Sequence, residues 1–153
     1  ASKVLKEAGM LNVLNGVTGN DKVVLLTGGS AGLTLQRNDS GKLFVFDTTT
    51  ATTVVLPSLA DAGAGWNARF ILNQVAGSSN HVVQENTASD TDTIYGMVVE
   101  ADISTDGATA SGVTDIELTS AAGAIGDMVE VIATSTKWFV RGYGAADGSI
   151  TFS

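Results

Sequence analysis

The sequence predicts an all-β fold: an antiparallel β-sandwich or jelly-roll-like barrel with an N-terminal arm or short helix. Three observations carry this. From Lys22 onward, short β-branched or aromatic runs recur about every ten residues, each bounded by turn residues. The 153 residues include 18 glycines and one proline, a balance that suits many tight turns. Asp115 and Glu117 alternate with Ile116 and Leu118, as expected of a strand with one wet face and one dry face.

In chain order, residues 1–20 stand apart as an arm, followed by a single β domain over 21–153. Val4, Leu5, Ala8, Leu11 and Leu14 fall near helical spacing, while Gly9 and Gly16 weaken any long helix. Such an arm packs either on the domain's own core or on a neighbouring subunit, because terminal segments stay loose unless something ties them down. Strands are expected at Val23–Thr27, Gly32–Gln36, Lys42–Asp47, Thr52–Leu56, Trp66–Val75 and His81–Glu85. More follow at Thr93–Glu100, Val113–Thr119, Met128–Thr134, Trp138–Tyr143 and Ser149–Phe152. Asn38–Gly41 and Thr105–Gly107 supply turn chemistry, with side-chain oxygens that cap and glycines that accept positive φ. Phe44 and Phe46 share one face of their strand and Leu43 and Val45 the other, which predicts a central strand covered on both sides. The turn Ser135–Lys137 predicts a hairpin near the C-terminus. Residues 77–110, rich in Ser, Thr, Asp and Gly, are expected to hold the long exposed loops.

Composition removes several function classes. Hydrophobic residues make up 44% and charged residues 16%, which is incompatible with intrinsic disorder or a long charged coiled coil. With no cysteine and one histidine, there can be no disulfide scaffold, thiol nucleophile, cysteine-ligated metal or multi-histidine site. A net charge of -8 argues against direct nucleic-acid binding through a basic patch. No run approaches the 18 or so apolar residues needed to span a bilayer, so no membrane partner is expected. The start Ala1-Ser2-Lys3-Val4 suggests a chain made in a cytoplasm and trimmed of its initiator Met.

Five features suggest chemistry, and each has a plainer reading. Val23–Leu26 runs into Gly28-Gly29-Ser30-Ala31-Gly32, but a phosphate loop needs a helix next; Leu33–Gln36 alternates like a strand, so a hairpin turn is expected. Asp90, Asp92, Asp102 and Asp106 are hard oxygen ligands, yet they lack EF-hand order and read as solvated loop carboxylates. His81 has no nucleophile elbow to serve and reads as a surface or hydrogen-bonded residue rather than a base. Glu100 and Asp102 share a strand face, but glycosidase chemistry needs such a pair in a cleft lined with aromatics. Trp66, Phe70, Trp138, Phe139, Tyr143 and Phe152 read as core and hairpin anchors, or else as a carbohydrate-binding face or subunit interface. No cofactor, catalytic residue or metal site is assigned.

Three stretches together resemble a known group. Asn38-Asp39-Ser40-Gly41-Lys42-Leu43-Phe44-Val45-Phe46-Asp47 leads to Val54-Val55-Leu56-Pro57, then to Gly65-Trp66-Asn67-Ala68-Arg69-Phe70-Ile71-Leu72. Gly126-Asp127-Met128-Val129-Glu130-Val131 and Lys137-Trp138-Phe139-Val140-Arg141-Gly142 follow, closing with Gly148–Ser153. This succession resembles the small β-rich virion proteins of tailed bacteriophages, in particular head decoration (cement) proteins and related head-fibre or tail-fibre modules. The resemblance covers roughly residues 38–76 and 126–153 and rests on scaffold motifs, so it transfers no functional site. It implies a non-enzymatic structural protein on the outer capsid surface, a homotrimer bound to the major capsid protein between shell subunits, holding the shell together. The acidic balance suits an outward-facing position. On this reading Val4, Leu5, Met10, Leu11 and Leu14 of the arm are the candidate subunit or capsid contacts. The alternative is a head-fibre or tail-fibre module that binds a receptor or carbohydrate; a surface-polysaccharide hydrolase ranks third.

Overall fold

The computed structural model of the chain describes residues 22–28, 33–101 and 107–153. The arm residues Val4, Leu5, Met10, Leu11 and Leu14 lie outside them, as do Asp102 and Asp106. The described residues form β1 (Val23–Leu26), β2 (Leu33–Thr34), β3 (Leu43–Phe46), β4 (Thr53–Val55), β5 (Asn67–Leu72) and β6 (His81–Gln84). They continue as β7 (Ile94–Glu100), β8 (Thr109–Val113), β9 (Asp115–Leu118), β10 (Met128–Ala133), β11 (Trp138–Gly144) and β12 (Ile150–Phe152). A 3-10 turn at Arg37–Asp39 and a one-turn helix α1 (Leu59–Ala62) complete the set.

The strands assemble into two sheets, as the sandwich expectation requires. One has seven strands in the order β1-β3-β5-β10-β11-β7-β8, the other five in the order β12-β9-β6-β4-β2. Both are open and mixed: neither closes into a barrel, and neither is purely antiparallel. β1, β3 and β5 run parallel in the first sheet, and β2, β4 and β6 run parallel in the second. The cause is the winding: from β1 to β6 the chain visits the two sheets alternately. Each strand therefore pairs with the next-but-one in sequence, which arrives from the same end. One expectation is corrected by this winding. β1 and β2 lie in different sheets and do not pair, so they do not form the expected hairpin. The hairpin expected around Ser135–Lys137 is present, with β10 antiparallel to β11 from Met128↔Tyr143 to Ala133↔Trp138.

The β10–β11 hairpin sits in the middle of the seven-stranded sheet, with β5 on one side and β7 on the other. Inward-facing residues of both sheets fill one core: Phe44, Phe46, Phe70, Val131, Trp138 and Val98 from the larger, and Val54, Val83, Ile116, Leu118 and Ile150 from the smaller. Phe44 stacks on Phe70 at 5.3 Å and Trp66 meets Trp138 edge-on at 5.4 Å. Each such side chain contributes about 1.5–3 kcal/mol by leaving water. Two elements were not foreseen. β8 falls within and just after the segment expected to be loop, because Thr109-Ala110-Ser111-Gly112-Val113 carries little apolar signal of its own. Helix α1 is held by Ser58, whose Oγ accepts from the Asp61 N–H, and by Asp90, whose Oδ2 accepts from the Leu59 N–H.

Candidate functional site

Successive residues of a strand point to opposite faces, so burying one set in the core commits the other set to the outside. On the seven-stranded sheet that outer set is mostly apolar. Ladder register places Leu25, Val45, Ile71, Met128, Tyr143 and Val99 side by side in a row crossing six strands. A second row runs Val23, Leu43, Arg69, Glu130, Arg141, Met97, Thr109. A third, shorter row holds Asn67, Ile132, Phe139, Tyr95 and Ser111. Many of these side chains are well exposed: Tyr143 retains 63% of its surface, Val99 57%, Leu25 57% and Met97 55%. Scattered exposed apolar residues are ordinary, but a contiguous sheet of them marks an interaction surface.

Charge enters this face chiefly at its centre. Arg69, Glu130 and Arg141 stand directly opposite one another on β5, β10 and β11. Arg141 Nε donates to Glu130 Oε2 at 2.5 Å, with the arginine side chain still 71% exposed. Met128 and Tyr143 complete a shallow hollow of about 280 Å³ with these three. At the far side of the sheet, Lys137 Nζ lies 4.5 Å from the centre of the Tyr95 ring. The hollow therefore combines an exposed aromatic, apolar walls and one carboxylate between two guanidinium groups.

The opposite face of the sandwich differs. The outward positions of the five-stranded sheet include Thr53, Val55, Val82, Gln84, Asp115, Glu117 and Thr151. Glu117 accepts from Asn80 Nδ2 at 2.5 Å and from Ser153 Oγ at 2.8 Å. Burial pushes the Asp115 carboxyl above the usual carboxylate range, and the Glu117 charge beside it adds to the effect, against the pull of hydrogen bonds from Gln84 and Thr114.

Several of the residues singled out for chemistry make hydrogen bonds or stacking contacts within the fold. His81 is buried and stacks on Phe46 at 4.5 Å. The Thr52 N–H donates to its Nδ1, which assigns the ring's N–H proton to Nε2, 3.2 Å from the Gln74 carbonyl oxygen that accepts it. Desolvation lowers the pKa of this ring, outweighing the backbone hydrogen bonds that raise it. Glu100 is also buried; its two oxygens accept from Gly148 N–H at 3.1 Å, Ile150 N–H at 3.0 Å and Ser149 Oγ at 3.3 Å. Of its expected partner Asp102 nothing is described. Asp90 caps α1, and burial pushes its carboxyl upward. Asp92 donates its backbone N–H to Glu85 at 2.8 Å. Among the described residues no three His, Cys, Asp or Glu side chains group as a metal site would require. The aromatic set divides, with Trp66, Phe70 and Trp138 in the core and Phe139 and Tyr143 on the outer face.

Sequence reasoning missed Leu25, Arg69, Met97, Val99, Met128, Glu130 and Arg141 as a group. The available signal was that β1, β3 and β7 are apolar on both faces, combined with a register that only pairing reveals. No protein-family model, no curated protein and no solved structure matches this chain.

Proposed function

We propose that this chain is a non-enzymatic structural subunit of a virion, one that coats the outer surface of a tailed-phage capsid and stabilises the shell by binding it. The observation that carries the reading is the outer face of the seven-stranded sheet, where an apolar row crosses six strands around a small charged centre. Surfaces of that kind bind other proteins. The phage assignment rests on the resemblance of residues 38–76 and 126–153 to decoration proteins. In this reading the segment 1–17, with Val4, Leu5, Met10, Leu11 and Leu14, makes the contact with the major capsid protein. Binding to the assembled shell alone stabilises it by mass action. Several copies joined together attach more firmly than one.

The test is copy number in purified virions, quantified by mass spectrometry against the major shell protein. The expected result is a number comparable to that of the shell protein, with binding lost when residues 1–17 are deleted. Absence from the particle overturns the reading, and a handful of copies moves the chain to a fibre or tail.

One observation favours a second reading, that of a receptor- or carbohydrate-binding module. Tyr143 stands exposed beside the Arg69, Glu130 and Arg141 side chains, an arrangement that can stack a sugar ring and hydrogen-bond its hydroxyls. Glycan binding by the isolated chain, abolished by Tyr143→Ala, would establish it.

A further inference from the structure

We infer that the outer face of the seven-stranded sheet packs against the same face of a second copy of this chain, related by a two-fold axis. This rests on the reading of the chain as a structural subunit and names the occupant of its exposed face. Area is the first argument. Six overlapping strands about 4.8 Å apart, carrying three outward rows about 7 Å apart, offer roughly 600 Å² of plan area, so two copies bury about 1,200 Å². That clears the roughly 1,000 Å² a specific interface needs and falls within the standard range.

Charge is the second argument, and it directs self-association away from the acidic sheet and toward this face. The chain carries a net charge of -8, so two copies repel wherever their acids face each other. The five-stranded sheet presents Asp115 and Glu117 outward and opposes self-association. Among the outward described residues of the seven-stranded sheet Glu130 is the one carboxylate, and it is already paired with Arg141. This face thus carries both signs at its centre and apolar side chains around them. Each copy supplies what the other needs, as an isologous contact demands.

The rows also suggest how the copies register. A two-fold axis lying in the interface, along the strands and between β10 and β11, sets each row over the same row of the other copy, end for end. Glu130 of one copy then lies against Arg141 of the other, Met128 against Tyr143 and Arg69 against Met97, and no arginine meets an arginine. A carboxylate facing a guanidinium is favourable once water is excluded, and Tyr and Arg are the residues that anchor such centres.

The experiment is sedimentation of the full chain at micromolar concentration, with two substitutions on the face and one off it. Wild type is expected to sediment as a dimer. Tyr143→Glu and Val99→Lys should each weaken dimerisation about a hundredfold, the effect of placing a charge at a desolvated interface centre. Thr53→Lys, on the outer face of the other sheet, should leave it unchanged. Circular dichroism and melting of each variant separate dissociation from misfolding. A measurement on the unaltered chain adds to this: peroxide should oxidise Met97 and Met128 several-fold more slowly at concentrations where the dimer forms. A monomeric wild type overturns the inference. If deletion of residues 1–17 turns that monomer into a dimer, the chain's own leading segment is the occupant instead. An oligomer that persists in both face variants also overturns it. The proposed function fails separately: a dimer absent from virions refutes the capsid role alone, and a monomer abundant in virions refutes the pairing alone.

Discussion

Three buried carboxylates show what acidic side chains do inside this molecule. Glu85 accepts from the backbone N–H groups of Asp92 and Thr93 at 2.8 Å each, and from the Thr93 hydroxyl. Glu100 gathers the N–H groups of Gly148 and Ile150, and Asp127 those of Ala124 and Ala145 at 2.8 Å. Each ties a loop to a strand, and the hydrogen bonds offset the cost of burying the charge. In sequence these residues look like any other acid, because their burial depends on which strand edge the loop returns to. Of the two plain readings of His81, surface or hydrogen-bonded, the structure bears out the second: the ring is buried, hydrogen-bonded and packed on Phe46. Its lowered pKa has a consequence. Below about pH 6.5 the unfolded chain takes up a proton that the folded chain refuses, so stability rises with pH there and is lost as pH falls. Urea midpoints of wild type should therefore drop between about pH 7 and pH 5. Those of His81→Gln should start lower and vary less across that window; equal slopes would place the titrating group elsewhere. Asp90 and Asp115, raised by burial, contribute the opposite slope at lower pH, where the folded chain binds its protons first.

At the level of the strand, alternation was legible and pairing was not. The boundaries of β3, β6, β10 and β11 lie within a residue or two of where β-branched and aromatic runs place them. Strand direction left no trace, since Val23–Leu26 reads the same whether its neighbour runs parallel or antiparallel. The Leu43/Val45 pattern predicts cover on both faces. In the structure β3 is indeed flanked by β1 and β5, but Leu43 and Val45 are only half-buried on the outer face. The apolar outer side of β3 is part of the exposed sheet surface rather than a second core. Close packing between elements has its own marker in Gly142 of β11. A Cβ there would meet the Met128 carbonyl oxygen at 2.5 Å and the Val129 and Val98 methyl groups at 2.9 Å. Gly142→Ala should accordingly cost about 1–3 kcal/mol by forcing β10 and β7 apart. Denaturant unfolding checks this, and an unchanged midpoint would mean the three strands can relax around a methyl group.

At the scale of the whole molecule, the two faces of the sandwich are chemically unequal: one acidic and polar, the other apolar with its acid neutralised. Net charge and amino-acid composition were legible from the start, but their partition between faces was not, because it depends on a register that spans seven strands. The expected outcome is a salt effect of a particular sign. Copies of a chain with net charge -8 repel at long range, while the contact between their apolar faces is insensitive to screening. Raising ionic strength from about 0.01 M to about 0.15 M, which shortens the screening length from about 30 Å to about 8 Å, should therefore strengthen self-association. Weakening on added salt would mean that ion pairs, not apolar contact, hold the copies together. The order β5-β10-β11-β7 bears on how the protein is made. The two strands that fill the centre of the larger sheet, Met128–Ala133 and Trp138–Gly144, leave the ribosome after both of the strands they separate. Until they emerge, β5 and β7 have an empty lane between them, and the middle of the larger sheet cannot form.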